Sequence, residues 1–349
     1  MSEQLQRTES IQPLHEIAVG LAQEMGEQPQ QRLDWLMQQT GESFGNVLLH
    51  VNSIARGLNP EEHGFDGEGV QAGTIGASIP PDQEDKITLL GELVSATQQH
   101  IVAQSEKGED PQTIMSELAV AIPTVVNKLH LFADGNGRTS RMLRMVLRDG
   151  DQLTPEKTEA LVHKNGYEKY DTTPGNPIEI SVLRYMRNIN GASEIAVTDD
   201  VVDEDTFADD VNEDIKRKFP TISTGVIKAY SDSANFSEAV RLMAKDNGTD
   251  KVSLSELFGQ IVDSPEELAR FTAVYRGVRK QRVEVLIGAL TGEVPVPLND
   301  RDNEKDINNY INGPRTRMEL PPIDPARINT IQDFQMAYCE TFAPQRTAA

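Results

Sequence analysis

The stretch LHLFADGNGRTSRML, residues 129–143, constrains the fold more than any other part of this 349-residue chain. Glycine and asparagine are poor formers of helix and strand interiors. Gly135-Asn136-Gly137 therefore interrupts the helical patterns on either side of it. Upstream, Asp110-Pro111 reads as a helix start, an acidic N-cap followed by proline at the first helical position. The helix it opens carries Ile114, Leu118, Ala121, Val125 and Leu129 on one face, should kink at Pro123, and should end near His130. A second helix is expected from Asn136 or Gly137 to Arg148, with Met142, Leu143, Val146 and Leu147 apolar. Two helices joined by a sharp glycine turn are the minimum this stretch demands.

The polar residues of that turn share a chemical theme. His130 has an ordinary titration range that suits a proton acceptor near neutral pH. Asp134 is a hard oxygen ligand of the kind Mg²⁺ takes when phosphates fill the rest of its shell. Gly135, Asn136 and Gly137 can aim successive backbone N–H groups at an anion, and they feed a helix N-terminus, itself an anion site. Arg138 and Arg141 are three apart and project from one side of the first turn, where two guanidinium groups could clamp phosphates. A helix–turn–helix corner with Asp134 as a cap and solvated arginines would explain the glycines but not this collection of side chains. Phe132 reads as a core anchor for the loop.

HLFADGNGRTSR resembles the signature of the Fic family (Fic/Doc superfamily), His-x-Phe-x-Asp/Glu-Gly-Asn-Gly-Arg-x-x-Arg. His130, Phe132, Asp134, Gly135, Asn136, Gly137, Arg138 and Arg141 all match. Chance agreement at that many positions is roughly one in ten billion per start site, so the motif is not read as coincidence. Leu131 stands where the family often has proline. GVQAGTIGASIPP is similar to the family's flap, a hairpin that pairs with an extended segment of the target, here centred on Thr74, Ile75 and Gly76. LLHVNSIARGLNPEEHG is similar to the helix and loop before it.

The resemblance implies a protein adenylyltransferase. His130 would deprotonate a Ser, Thr or Tyr hydroxyl of a target protein, and Asp134 would bind Mg²⁺ at the α- and β-phosphates of ATP. Asn136, with the Gly135 and Gly137 amides, would hold phosphates, while Arg138 and Arg141 would neutralise the β- and γ-phosphates that leave as pyrophosphate. Two further readings stay open: a Fic-type transferase with another donor (UMP transfer or a Doc-like kinase), and a Fic-fold interaction protein without turnover. Doc-type loops tend to carry lysine where Gly137 stands, which counts against the kinase. The inhibitory helix of many relatives, Ser/Thr-x-x-x-Glu-Gly/Asn, has no full match. SEKGED and TLLGEL, at 105–110 and 88–93, each fail at the last position. Any inhibition would then come from a separate partner.

The expected architecture is mainly α. It comprises a polar segment at 1–29, a Fic-like helical core with a small β-hairpin flap at 30–195, an acidic linker at 196–214 and a C-terminal helical region at 215–349. The pattern from Leu14 to about Arg56 is helical, and residues 199–214 hold nine acids and no base. Helices are also expected around 155–165 and 177–189. Lys and Arg number 33 against 55 Asp and Glu, a formal charge of -22. That balance argues against non-specific nucleic-acid binding and against an anionic membrane surface. A single cysteine, Cys339, leaves no intrachain disulfide and no thiolate metal cluster. No apolar run suits a signal peptide or a membrane span, so a cytoplasmic protein, or an effector secreted without a cleaved signal, is expected.

The remaining candidates have plainer readings. His50 is expected to be structural. His15, His63, His100 and His163 show no metal-ligand pattern. Arg144 and Arg148, which continue the arginine stripe, are expected to be solvated or paired with acids. Arg276, Arg279, Lys280 and Arg282 form the densest basic patch, read first as a helix face and second as a partner-binding face.

Overall fold

Asp110 caps the helix its sequence announces. Its carboxylate accepts from Gln112 N–H at 3.0 Å and Thr113 N–H at 3.2 Å, and Pro111 occupies the first turn, where no N–H is missed. The structure, a computed structural model, describes residues 15–16, 18–55, 83–132, 135–149, 153–155, 158, 176–198, 233–253, 257, 260, 264–292, 294, 307–330, 333–334, 337 and 341. The chain is mainly helical. In order come α1 (Pro29–Met37), α2 (Gly41–Ala55), α3 (Gln83–Glu106), α4 (Pro111–Leu129), α5 (Asn136–Asp149), α6 (Asn176–Ile189), β1 (Ala196–Thr198), α7 (Ser233–Asp246), β2 (Lys251–Ser253), α8 (Pro265–Thr291) and α9 (Gly313–Arg317).

Two compact units divide the chain. The first comprises Met1–Phe65, Lys86–Ser181 and Leu286–Ala349, and the second Asp66–Asp85 and Val182–Val285.

In the first unit α4 and α5 pack on each other, α1 packs on α4, and α2 packs on α5. Ile114, Leu118, Ala121, Val125 and Leu129 are all buried, as their spacing requires. Each of the four larger side chains, Ala121 apart, contributes roughly 1.5–3 kcal/mol. Met142, Leu143, Val146 and Leu147 meet them from α5. Helix α4 is continuous through Pro123, whose carbonyl accepts from Ser140 Oγ on α5 at 2.6 Å.

The helical run expected from Leu14 to Arg56 is broken twice. Gly26 takes φ 100, a conformation only glycine enters without strain. Thr40 then caps α2 reciprocally: Ser43 N–H donates to Thr40 Oγ1 at 3.1 Å, and Thr40 N–H donates to Ser43 Oγ at 2.8 Å. A buried histidine ties three helices of this unit. His100 on α3 donates from Nδ1 to the Leu290 carbonyl of α8 at 2.9 Å, and its Nε2 lies 2.8 Å from Glu117 Oε2 on α4.

The second unit contains a two-stranded parallel sheet, β1 beside β2, with Ala196 opposite Lys251 and Thr198 opposite Ser253. Parallel strands need a crossover, and α7 packs against both strands. Buried Glu238 on α7 is gripped by Arg187 of α6 and by Arg241. Asn190 and Gln281 exchange amide hydrogen bonds at 2.8 and 3.0 Å.

One expectation about basic residues is corrected here. Arg279 and Arg282 are buried, so the patch at 276–282 is not an exposed basic face. Lys280 lies 2.6 Å from Asp85. The expected hairpin at 70–81, the acidic run at 199–214, the helix around 155–165 apart from residues 155 and 158, and Cys339 lie outside the described residues. No helix among the described residues is long and apolar enough to cross a membrane.

Candidate functional site

Helix α4 does not end on glycine. Its C-cap is His130, at φ 53 and ψ 54, a left-handed conformation that a non-glycine residue adopts at a cost of roughly 1–2 kcal/mol. Two apolar residues follow, and each is 1% exposed: Leu131 and Phe132 plug the start of the loop into the core. Phe132 is thus the anchor its position suggested. Gly135 turns the chain back at φ 80 and is itself buried.

Asn136, the first residue of α5, closes the loop. Its Oδ1 accepts from Phe132 N–H at 3.0 Å, and its Nδ2 donates to the Phe132 carbonyl at 2.6 Å. One amide side chain thereby serves both backbone groups of a buried residue, which would otherwise lose their hydration uncompensated. The same Nδ2 lies 3.3 Å from His130 Nδ1. A carboxamide nitrogen only donates, so this contact calls for a lone pair on Nδ1.

The first turn of α5 has an unusual electrostatic character. A helix N-terminus carries partial positive charge and normally attracts acidic side chains. The first turn of α5 holds no acid, and Arg138 and Arg141 follow at one and two turns' reach, each half-buried. The Arg141 guanidinium lies back towards the loop. A Cβ built on Gly137 would stand 3.1 Å from Arg141 Nη1. Helical side chains lean towards the N-terminus, which explains the direction. The α5 N-terminus and two guanidinium groups thus lie within two turns of each other in a chain whose net charge is -22.

Two of the four motif positions that tolerate any residue, Thr139 and Ser140, also contribute. Thr139 N–H and Thr139 Oγ1 both donate to the Gly135 carbonyl, at 2.9 and 3.0 Å, and Asn52 Nδ2 on α2 donates to Thr139 Oγ1 at 3.0 Å. Ser140 fixes α5 to α4 through Pro123. Sequence reading passed over Asn52, Thr139 and Ser140. The available signal was a lone asparagine in the apolar run LLHVNSIA, and it has no intrinsic direction.

His130, Gly135, Asn136, Gly137, Arg138 and Arg141 therefore lie on one loop and the helix turn that follows it. Asp134 and the flap residues Thr74, Ile75 and Gly76 lie outside the described residues. Arg144 is only 3% exposed, so it does not lie in solvent, while Arg148 is half-buried. His50 is exposed on α2. Among the described residues no group of three acidic, histidine or cysteine side chains could hold a metal ion. Compared with known proteins, the chain matches no family model, no curated protein and no solved structure.

Proposed function

We propose that the chain is a Fic-type protein adenylyltransferase, which moves AMP from ATP to a Ser, Thr or Tyr hydroxyl of a target protein. The observation that carries this reading is the placement of Arg138 and Arg141 on the first two turns of α5, next in the chain to the loop that opens at His130, a histidine held in a strained backbone conformation. Backbone strain of this kind collects where function demands it.

In this reading the amides at the start of α5 and the guanidinium groups of Arg138 and Arg141 bind the triphosphate. Asn136 contributes through the loop it ties together, since both ends of its amide are engaged there. His130 takes the proton of the target hydroxyl as that oxygen bonds to the α-phosphorus. The bond to the β-phosphate bridging oxygen breaks, and pyrophosphate leaves with its charge met by the arginines. Asp134 would hold Mg²⁺, and a single carboxylate suits this ion because water and phosphate complete its shell. When bound, the ion supplies further neutralisation of phosphate charge. The target would be a protein segment held by the region around Thr74, Ile75 and Gly76.

Incubating the purified chain with cell lysate and Mg·ATP, followed by mass spectrometry of modified peptides, tests this function. Peptides carrying AMP on a hydroxyl are expected, and they should be missing from the same incubation with His130→Ala. Peptides carrying UMP in a mixed-nucleotide incubation would keep the chemistry and change the donor.

A further inference from the structure

Asn52 is a fully buried polar side chain on α2, flanked by buried Leu48 and Val51. Its Nδ2–H donates to Thr139 Oγ1 at 3.0 Å across 87 residues of sequence. Thr139 is equally buried. A threonine hydroxyl has one proton and can rotate it, but a donor already facing its oxygen directs that proton elsewhere. The Gly135 carbonyl oxygen waits 3.0 Å away, and Thr139 N–H reaches the same oxygen at 2.9 Å. The result is a polarised chain, Asn52 to Thr139 to Gly135, with one direction throughout.

That direction matters for the loop. A peptide unit is planar and trans, so its C=O and N–H point opposite ways. Pulling the Gly135 carbonyl down into α5 turns the Asn136 N–H outward, away from the helix. It also sets the plane from which the next amides of the turn fan out. Gly135, at φ 80, is free to rotate where another residue would be restrained, so the plane needs an outside hold.

We infer that Asn52 is a positioning residue of the phosphate-binding turn, acting through the Thr139 hydroxyl on the Gly135–Asn136 peptide plane. The inference rests on the nucleotide-binding reading above.

The test uses the full chain and two readouts. One is the affinity for Mg·ATP by calorimetry. The other is amide hydrogen exchange at residues 135–139 without nucleotide. The variants are Asn52→Leu, Thr139→Val, both together, and Thr139→Ser. Each of the first two should weaken Mg·ATP binding by about tenfold, in the range that outer-shell partners are worth, and should speed exchange in the turn. The double variant should lose no more than the weaker-binding single one. Thr139→Ser keeps the hydroxyl and should bind within about twofold of the unaltered chain.

Unchanged affinity and unchanged exchange in Asn52→Leu would overturn the inference. So would losses that multiply in the double variant to on the order of a hundredfold, because independent contributions would then be at work. If the unaltered chain does not bind Mg·ATP, the reading of the site fails, and the exchange data alone decide whether Asn52 holds the turn.

Discussion

Asn136 Nδ2 stands 3.3 Å from His130 Nδ1 while the same amide is bound at both ends to the backbone of Phe132. The residue that closes the loop also faces the proposed base, so loop shape and ring orientation are set together. Because Nδ2 only donates, it favours the neutral ring with its lone pair on Nδ1. Asn136→Asp keeps the size but reverses the polarity, and a carboxylate beside the ring favours the protonated form. The acid limb of the pH–rate profile should therefore move to higher pH. Transfer at pH 7 should fall on the order of tenfold or more, in line with the worth of a general base. An unmoved limb would detach Asn136 from His130.

The left-handed backbone at His130 separates stability from function. His130→Ala and His130→Gly should both abolish transfer, since neither can take a proton. Glycine should leave the protein more stable than alanine by about 1 kcal/mol, the strain of a left-handed residue that carries a Cβ. Urea unfolding of the two variants measures the difference. Equal stabilities would mean that the turn relaxes when the ring is gone.

Gly137 makes the opposite separation. It lies inside α5, where alanine is the better helix former by roughly 0.8–1.0 kcal/mol. Yet a Cβ there would stand 3.1 Å from Arg141 Nη1. Gly137→Ala should fold at least as stably as the original chain while binding Mg·ATP more weakly, because the guanidinium is displaced. Calorimetric titration beside a urea melt reads both quantities. A variant that binds as tightly as the original would remove Arg141 from the phosphate clamp.

His100 should matter to stability without entering the chemistry. It joins the Leu290 carbonyl and Glu117 from a position 8% exposed. Leaving a buried polar group without its hydrogen-bond partner typically costs about 1–3 kcal/mol. His100→Ala should lower the unfolding free energy by about that much, with Mg·ATP affinity unchanged at a temperature where the variant is folded.

Much of this was legible where the signal is local. The Asp110-Pro111 cap, the buried face of α4 and the start of α5 near Asn136 each depend on residues within a turn or two of one another. The Thr40–Ser43 cap was just as local, yet the continuous apolar spacing through Met37 and Phe44 masked it. Other features depend on distant partners. Nothing near Asn52 indicates Thr139, and nothing near His100 indicates Leu290, 190 residues away. Arg279 and Arg282 read as a basic face because charge usually stays in water. Only tertiary packing reveals that α8 carries them inside. Within the motif, residue types suggested the ligand, but the left-handed His130 and its Asn136 contact required coordinates.

The fate of the phosphates tests the central claim most directly. ATP labelled on the α-phosphate and ATP labelled on the γ-phosphate are each incubated with the chain, Mg²⁺ and a lysate containing targets. If the start of α5 and its arginines hold the end that leaves, α-label appears on protein, γ-label does not, and pyrophosphate is released. Both Asp134→Ala and chelation of Mg²⁺ should stop the reaction. Transfer of γ-label to protein would contradict the account: the nucleotide would lie in the reversed sense, and the chain would be a kinase.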